Sequence, residues 1–254
     1  MIGKEKDLNG YRLEICANSI TSAVAAEEGG ASRVELCQNL ENGGTTPSYG
    51  QIRITRERLS IGIHVLIRPR GGDFLYSEDE FNEILADVTY CKEIKCDGVV
   101  VGILDKEGNV DISRMQKVIE TARPLKVVFH RAFDKCSDPY SSLEDIISLG
   151  CDRILTSGQA NTAWEGKELL RELIDKAKGR IEIMPGGGVN EDNIAELLSY
   201  TQALSAHSSA KENVASGMLY KDNKVTGMDE GTVLSSTKKV RLMADILKKP
   251  LKLR

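Results

Sequence analysis

Cys16 and Cys37 close two copies of one short pattern. Leu13-Glu14-Ile15-Cys16-Ala17-Asn18 returns 21 residues later as Val34-Glu35-Leu36-Cys37-Gln38-Asn39. Each copy alternates apolar and polar side chains, the period of a strand whose two faces meet different surroundings. Glu14 and Cys16 therefore share one face, and so do Glu35 and Cys37. If the copies pair in register, two thiols lie level with one carboxylate a step below each, a candidate clamp for a soft metal. The competing reading makes both cysteines small core-filling hydrophobes. Two carboxylates on adjacent inward strands repel, so either one is protonated or a cation sits beside them.

The elements that would position these groups follow from periodicity. Ser19–Glu28 is rich in alanine and charge, with Asn18 or Ser19 as N-cap and Gly29-Gly30 at its end, so it reads as a helix. Strand, helix, strand makes a βαβ unit whose strands run parallel. Further strands are expected at 62–68, 98–103, 126–130, 153–156, 180–184 and 203–207, with amphipathic stretches between them. Expected helices include 112–121, 143–149, 165–178 and 193–199, and Gly150 and Gly179 stand where helix ends want them. Eight alternating units without a linker predict a single (β/α)₈ TIM barrel over 1–254, with its core at about 11–209 and a C-terminal polar segment and helix at 210–254. A doubly wound open sheet is the weaker option, because no glycine-rich dinucleotide turn follows the first strand.

Barrel chemistry sits at the C-terminal ends of the strands, and polar residues crowd those exits. Arg68-Pro69-Arg70-Gly71-Gly72-Asp73 follows the third strand, and His130-Arg131-Ala132-Phe133-Asp134 follows the fifth. Thr156-Ser157-Gly158 follows the sixth, Pro185-Gly186-Gly187-Gly188 the seventh and His207-Ser208-Ser209 the eighth. Glu14, Glu35, His130 and Asp134 are the candidate acid–base groups. Arg68, Arg70, Arg131, Ser157, Gly186, Gly187, Gly188 and His207 are candidates for holding an anion, with the glycine turn opening a helix near Asn190. A structural Arg–Glu network is the alternative for the arginines. His64 falls early in its strand and reads as a satisfied core histidine. No lysine falls at an expected exit, and Lys126 opens its strand at the wrong end, which argues against Schiff-base chemistry.

A net charge of −4 supplies no positive field for nucleic acid. No run of about 18 apolar residues predicts a membrane span, and the charged N-terminal decapeptide does not resemble an export signal. The six cysteines, none spaced C-x-x-C, are then expected as free thiols in a cytoplasmic protein.

The segments LEICANS, ASRVELCQNLENGGTTPS, IRPRGGDFLYS, DGVVVGIL, FHRAFD, RILTSG, PGGGV and AHSS, in this order from residue 13 to 209, resemble the CutC family. The resemblance implies a cytoplasmic TIM barrel, a role in copper homeostasis, and Cu(I) bound by a cysteine pair that falls by position on Cys16 and Cys37. The alternative expectation is a lyase- or isomerase-like barrel enzyme acting on a small anionic or phosphorylated metabolite. No other cofactor is expected, and a homodimer is the assembly left open.

Overall fold

The computed structural model of the chain describes residues 3–220 and 231–251. Eight parallel strands alternate with helices: β1 (Arg12–Ala17), α1 (Ile20–Gly29), β2 (Arg33–Leu36), α2 (Tyr49–Arg58), β3 (Gly62–Leu66), α3 (Glu78–Glu93), β4 (Gly98–Val101) and α4 (Ile112–Ala122) make the first half. The second half is β5 (Lys126–Phe129), α5 (Pro139–Leu149), β6 (Arg153–Thr156), α6 (Lys167–Ala177), β7 (Glu182–Pro185), α7 (Ile194–Thr201) and β8 (Ser205–Ser208). A hairpin, β9 (Lys211–Val214) and β10 (Thr232–Ser235), and the helix α8 (Thr237–Leu247) follow. The strand order β7-β6-β5-β4-β3-β2-β1-β8 is closed by a parallel bridge from Gly186 to His207. This is the TIM barrel expected from the alternation. Residues 221–230 and 252–254 of the expected C-terminal segment lie outside the described residues.

The alternation within each strand divides two cores. Ile15, Val34, Ile63, Val99, Val127 and Ile154 face the helices and join the large apolar cluster beneath them. The other face fills the barrel interior, where Cys16, Cys37, Leu66, Val100, Val128, Leu155 and Met184 form a separate cluster. Helix ends are set locally: Ser19 caps α1 by accepting from Ser22 N–H, and Ser77 with Glu80 forms a capping box at α3. α5 begins at Pro139, earlier than its apolar spacing suggested, because Asp138 caps it and Pro139 occupies its first turn.

Strand register departs from the sequence expectation. Cys16 lies level with Glu35, and Glu14 with Arg33, so the E-x-C copies are staggered by two residues rather than aligned. A closed barrel requires such stagger between tilted neighbours. Its consequence is that Glu14 has Arg33 on one side and His207 on the other.

Closure depends on β1 bonding both β2 and β8. Deletion of residues 1–30 is expected to expose two strand edges and give insoluble or molten protein. A soluble truncation with a cooperative thermal transition by circular dichroism would contradict a closed barrel.

Candidate metal and anion site

The deepest interior layer is ionic. Glu14 is fully buried, and it accepts from Arg33 Nε at 2.5 Å and pairs with His207 Nδ1 at 2.8 Å. Burial alone would raise this carboxyl, yet the Arg33 guanidinium and the His207 bond hold it well below the ordinary value. Arg153 bonds Glu182 at 2.8 Å, and Glu5 of the N-terminal segment reaches Arg33 at 3.4 Å. His64 is buried here as expected. It is not satisfied, however, since neither ring nitrogen has a hydrogen-bond partner among the described residues and Glu14 stands 3.7 Å away. Burial drives its pKa well down, so the ring is neutral.

One step toward the C-terminal ends lie the thiols. The stagger lifts Cys37 above Cys16, yet the two sulfurs meet diagonally at 3.4 Å. Cys16 Sγ is also 3.7 Å from Glu35 Oε1. One donor atom each from Cys16, Glu35 and His207 lie within 4.8 Å of one another. The bond to Cys37 and burial push the Cys16 thiol well above the usual range. Burial also raises Glu35, against the pull of His207 and with added repulsion from Glu14, to about 7. His207 is pulled down by burial, but Glu35, Cys16 and Glu14 together carry it well above the imidazole norm. The two expected carboxylates thus differ: Glu14 is ionised and Glu35 sits near neutrality.

The cations that settle Glu14 are Arg33 and His207, not the exit arginines. Arg33 was not among the candidate residues, because equal alignment of the two copies puts Glu35 opposite Glu14 and leaves Arg33 below the site.

Above the thiols a cavity of about 320 Å³ opens at the C-terminal ends, lined by Cys16, Glu35 and His207 and by Arg68, Arg131, His130, Gly187, Gly188, Ser208, Ser209 and Lys211, among others. His130 accepts from Ala132 N–H through Nδ1 at 3.1 Å, and burial and then Arg68 push it down to about 3. It is therefore too weak a base to carry a proton at neutral pH. Arg70 does not reach this cavity. It is drawn to Glu80 in the first turn of α3 at 2.5 Å and to Asp73 in the preceding loop at 3.0 Å, so two of the three exit guanidiniums converge. Asp134 lies behind the wall, taking bonds from Thr156 Oγ1 (2.5 Å), Ser157 Oγ (2.9 Å) and Arg131 Nε (2.7 Å). Ser157 in turn accepts from Arg131 Nη2 at 2.8 Å. Both residues position Arg131. Gly186 is a packing residue, since a Cβ there would fall 2.4 Å from Leu155 Cδ1.

Two expectations about the mouth change. The helix after the glycine turn starts at Ile194, and Asn190 and Asn193 intervene with their amides on the Gly188 carbonyl at 3.3 and 2.9 Å. A lysine is present at the mouth after all: Lys211 lines the cavity from β9. Its strand is exposed and pairs with residues about twenty positions on, so no local periodicity announced it; proximity to His207-Ser208-Ser209 was the one available signal.

The sequence profile of the CutC family matches residues 11–212. A family protein CutC from Chromobacterium violaceum is 48% identical over 242 residues, covering 93% of this chain and 98% of its own. The mouse copper homeostasis protein cutC homolog is 44% identical over 223 residues, 88% of this chain and 82% of its own. The crystal structure of a CutC protein from Streptococcus agalactiae superposes with a TM-score of 0.75 at 36% identity, over 78% of this chain and 98% of that one.

Removing one partner of the buried Glu14–Arg33 pair leaves an uncompensated charge. Arg33→Met is expected to cost about 3–5 kcal/mol in urea unfolding, and adding Glu14→Gln should restore most of that loss. A single-variant cost below about 1 kcal/mol would show the pair to be solvated.

Proposed function

The chain belongs to the CutC family, and from that premise we propose that it binds one Cu(I) ion between Cys16 and Cys37 and serves copper homeostasis in a reducing cytosol. The observation that carries the reading is the 3.4 Å separation of the two sulfurs at the floor of the cavity. Metal–thiolate bonds run to about 2.3 Å, so both sulfurs can reach one ion. Thiolates are soft donors and favour Cu(I), and imidazole is compatible with copper.

His207 adds to the fit. Its Nδ1 is committed to Glu14, and that bond fixes the orientation of the ring. The other ring nitrogen is left for the Cys16 side, where Glu35 supplies an oxygen. Cys16 lines the cavity whereas Cys37 is fully buried. Copper would therefore enter through the mouth, meet Cys16 first and be locked by Cys37. The proton on each thiol must leave as the metal binds; Glu35, raised to about 7, stands beside Cys16 as an acceptor, and His207 must itself release its proton before it could face the metal. The mouse relative's name as a copper homeostasis protein agrees with this assignment. No helix among the described residues is long and apolar enough to cross a membrane.

Anaerobic titration of reduced, metal-free protein against a competing Cu(I) chelator is expected to show one equivalent bound. Cys16→Ser or Cys37→Ser should weaken binding by on the order of 100-fold or more, beyond the effect of an outer-shell change, while the circular dichroism spectrum stays native. Unchanged stoichiometry and affinity in the double serine variant would remove the copper assignment.

A further inference from the structure

The mouth holds more positive charge than its own carboxylates can balance. Glu35 is the one carboxylate among the described residues that line the cavity, against Arg68, Arg131 and Lys211. Arg68 is only 6% exposed, yet its two Nη atoms donate to the carbonyls of Asn42, Gly44 and Gly72 and no carboxylate pairs with it among the described residues. A buried cation with only neutral acceptors is costly unless an anion joins it. Lys211, on an exposed strand, also has no acceptor for its ammonium among the described residues, so the protein leaves its charge unneutralised at the rim.

The orphaned polar atoms have the same sign. Arg68 Nε makes no well-formed hydrogen bond among the described residues, and the side chain that interacts with the Arg68 guanidinium, the Tyr76 hydroxyl, is neutral. His130 Nδ1 accepts from Ala132 N–H, so Nε2 keeps the ring proton, and that N–H too is buried without an acceptor. Arg131 commits Nε to Asp134 and Nη2 to Ser157 and leaves Nη1 free of protein acceptors among the described residues. Glu35 Oε2 is the one buried acceptor without a partner among the lining residues, and it belongs to the thiol end.

Beside Arg131 the wall is bare backbone. Gly187 and Gly188 adopt φ of +99° and +75°, and a Cβ at Gly187 would stand 3.4 Å from the Arg131 guanidinium carbon. The missing side chains let an oxyanion approach main chain and guanidinium together. Ser209, between β8 and β9, completes that side of the rim.

From these donors we propose that the barrel mouth binds the phosphoryl group of a small phosphate monoester, held by Arg131, Lys211, Ser209 and the Gly187–Gly188 backbone with Arg68 balancing its charge. A phosphate dianion brings three acceptor oxygens and a charge near −2, matching Arg68 and Lys211 once Asp134 has offset Arg131. A carboxylate brings two oxygens and one charge. Leu66, Phe74 and Leu155 also line the cavity, and its volume, roughly that of ten liquid waters, leaves room for a few-carbon body against them. The assignment does not depend on copper, because it uses neither thiol.

Calorimetric titration of inorganic phosphate into reduced, metal-free protein at constant ionic strength tests it, with malonate as a second arm. Phosphate is expected to bind with a Kd of about 1 mM or lower, tighter than malonate, and Lys211→Met should weaken it on the order of tenfold. Arg131→Gln should abolish binding while the thermal melt stays cooperative. Absence of phosphate binding by the wild type at about 20 mM would overturn the proposal. So would unchanged affinity in Lys211→Met, whose exposed position spares the fold. Malonate binding as tightly as phosphate would overturn the phosphoryl assignment.

Discussion

The two-residue stagger between the first two strands decides which side chains meet at the heart of this barrel. Eight strands can close only if they tilt and slip against one another, and here the slip sets Cys16 beside Glu35 and Glu14 beside Arg33. Level alignment would have put two carboxylates together, with repulsion to be met by protonation of one. The staggered arrangement gives Glu14 a guanidinium and an imidazole. Glu35 feels His207 and Arg33 only across the stagger, and burial with the repulsion of Glu14 outweighs their pull and raises it to about 7. The thiols still meet, because a diagonal neighbour on one face remains within reach of its partner.

Charge is layered along the barrel axis. Glu14, Arg33, Arg153 and Glu182 form a nearly self-balanced ionic floor, tied at its base by Glu5. Above it lies a layer of sulfur and aliphatic carbon, including the two thiols. Arginine, lysine and histidine dominate the mouth. Glu14 reaches one mouth residue, His207, and the other floor carboxylates are spent on Arg33 and Arg153, so Arg68, Arg131 and Lys211 gain little neutralisation from below.

How far the sequence carried this picture depended on the range of the interaction. Ser19 and Gly150 cap helices through contacts within a few residues, and Arg153–Thr156 was bounded correctly by its own apolar run. Placement of Arg33 required the inter-strand register, which a repeated motif misrepresents by suggesting equal alignment. Arg70 shares the exit motif of Arg68, but the capping residue Glu80, ten positions on, captures it. Lys211 depends on a hairpin partner distant in sequence. Local chemistry was legible; the choice among competing partners was settled only by packing.

Arg131 shows why those partners matter to the mouth. Its guanidinium is exposed on one side, and an exposed arginine ordinarily loses rotamer freedom on meeting a ligand. Here Asp134 takes Nε and Ser157 takes Nη2, while Asp134 itself is fixed by Thr156 and by the Ser157 backbone N–H at 3.0 Å. The order of ordering is therefore reversed: β6 holds the carboxylate, the carboxylate holds the guanidinium, and the remaining nitrogen faces the glycine turn before any anion arrives. The same pair that dulls Arg131's net charge makes it directional, so specificity at the rim rests on geometry while the unpaired charges of Arg68 and Lys211 supply attraction.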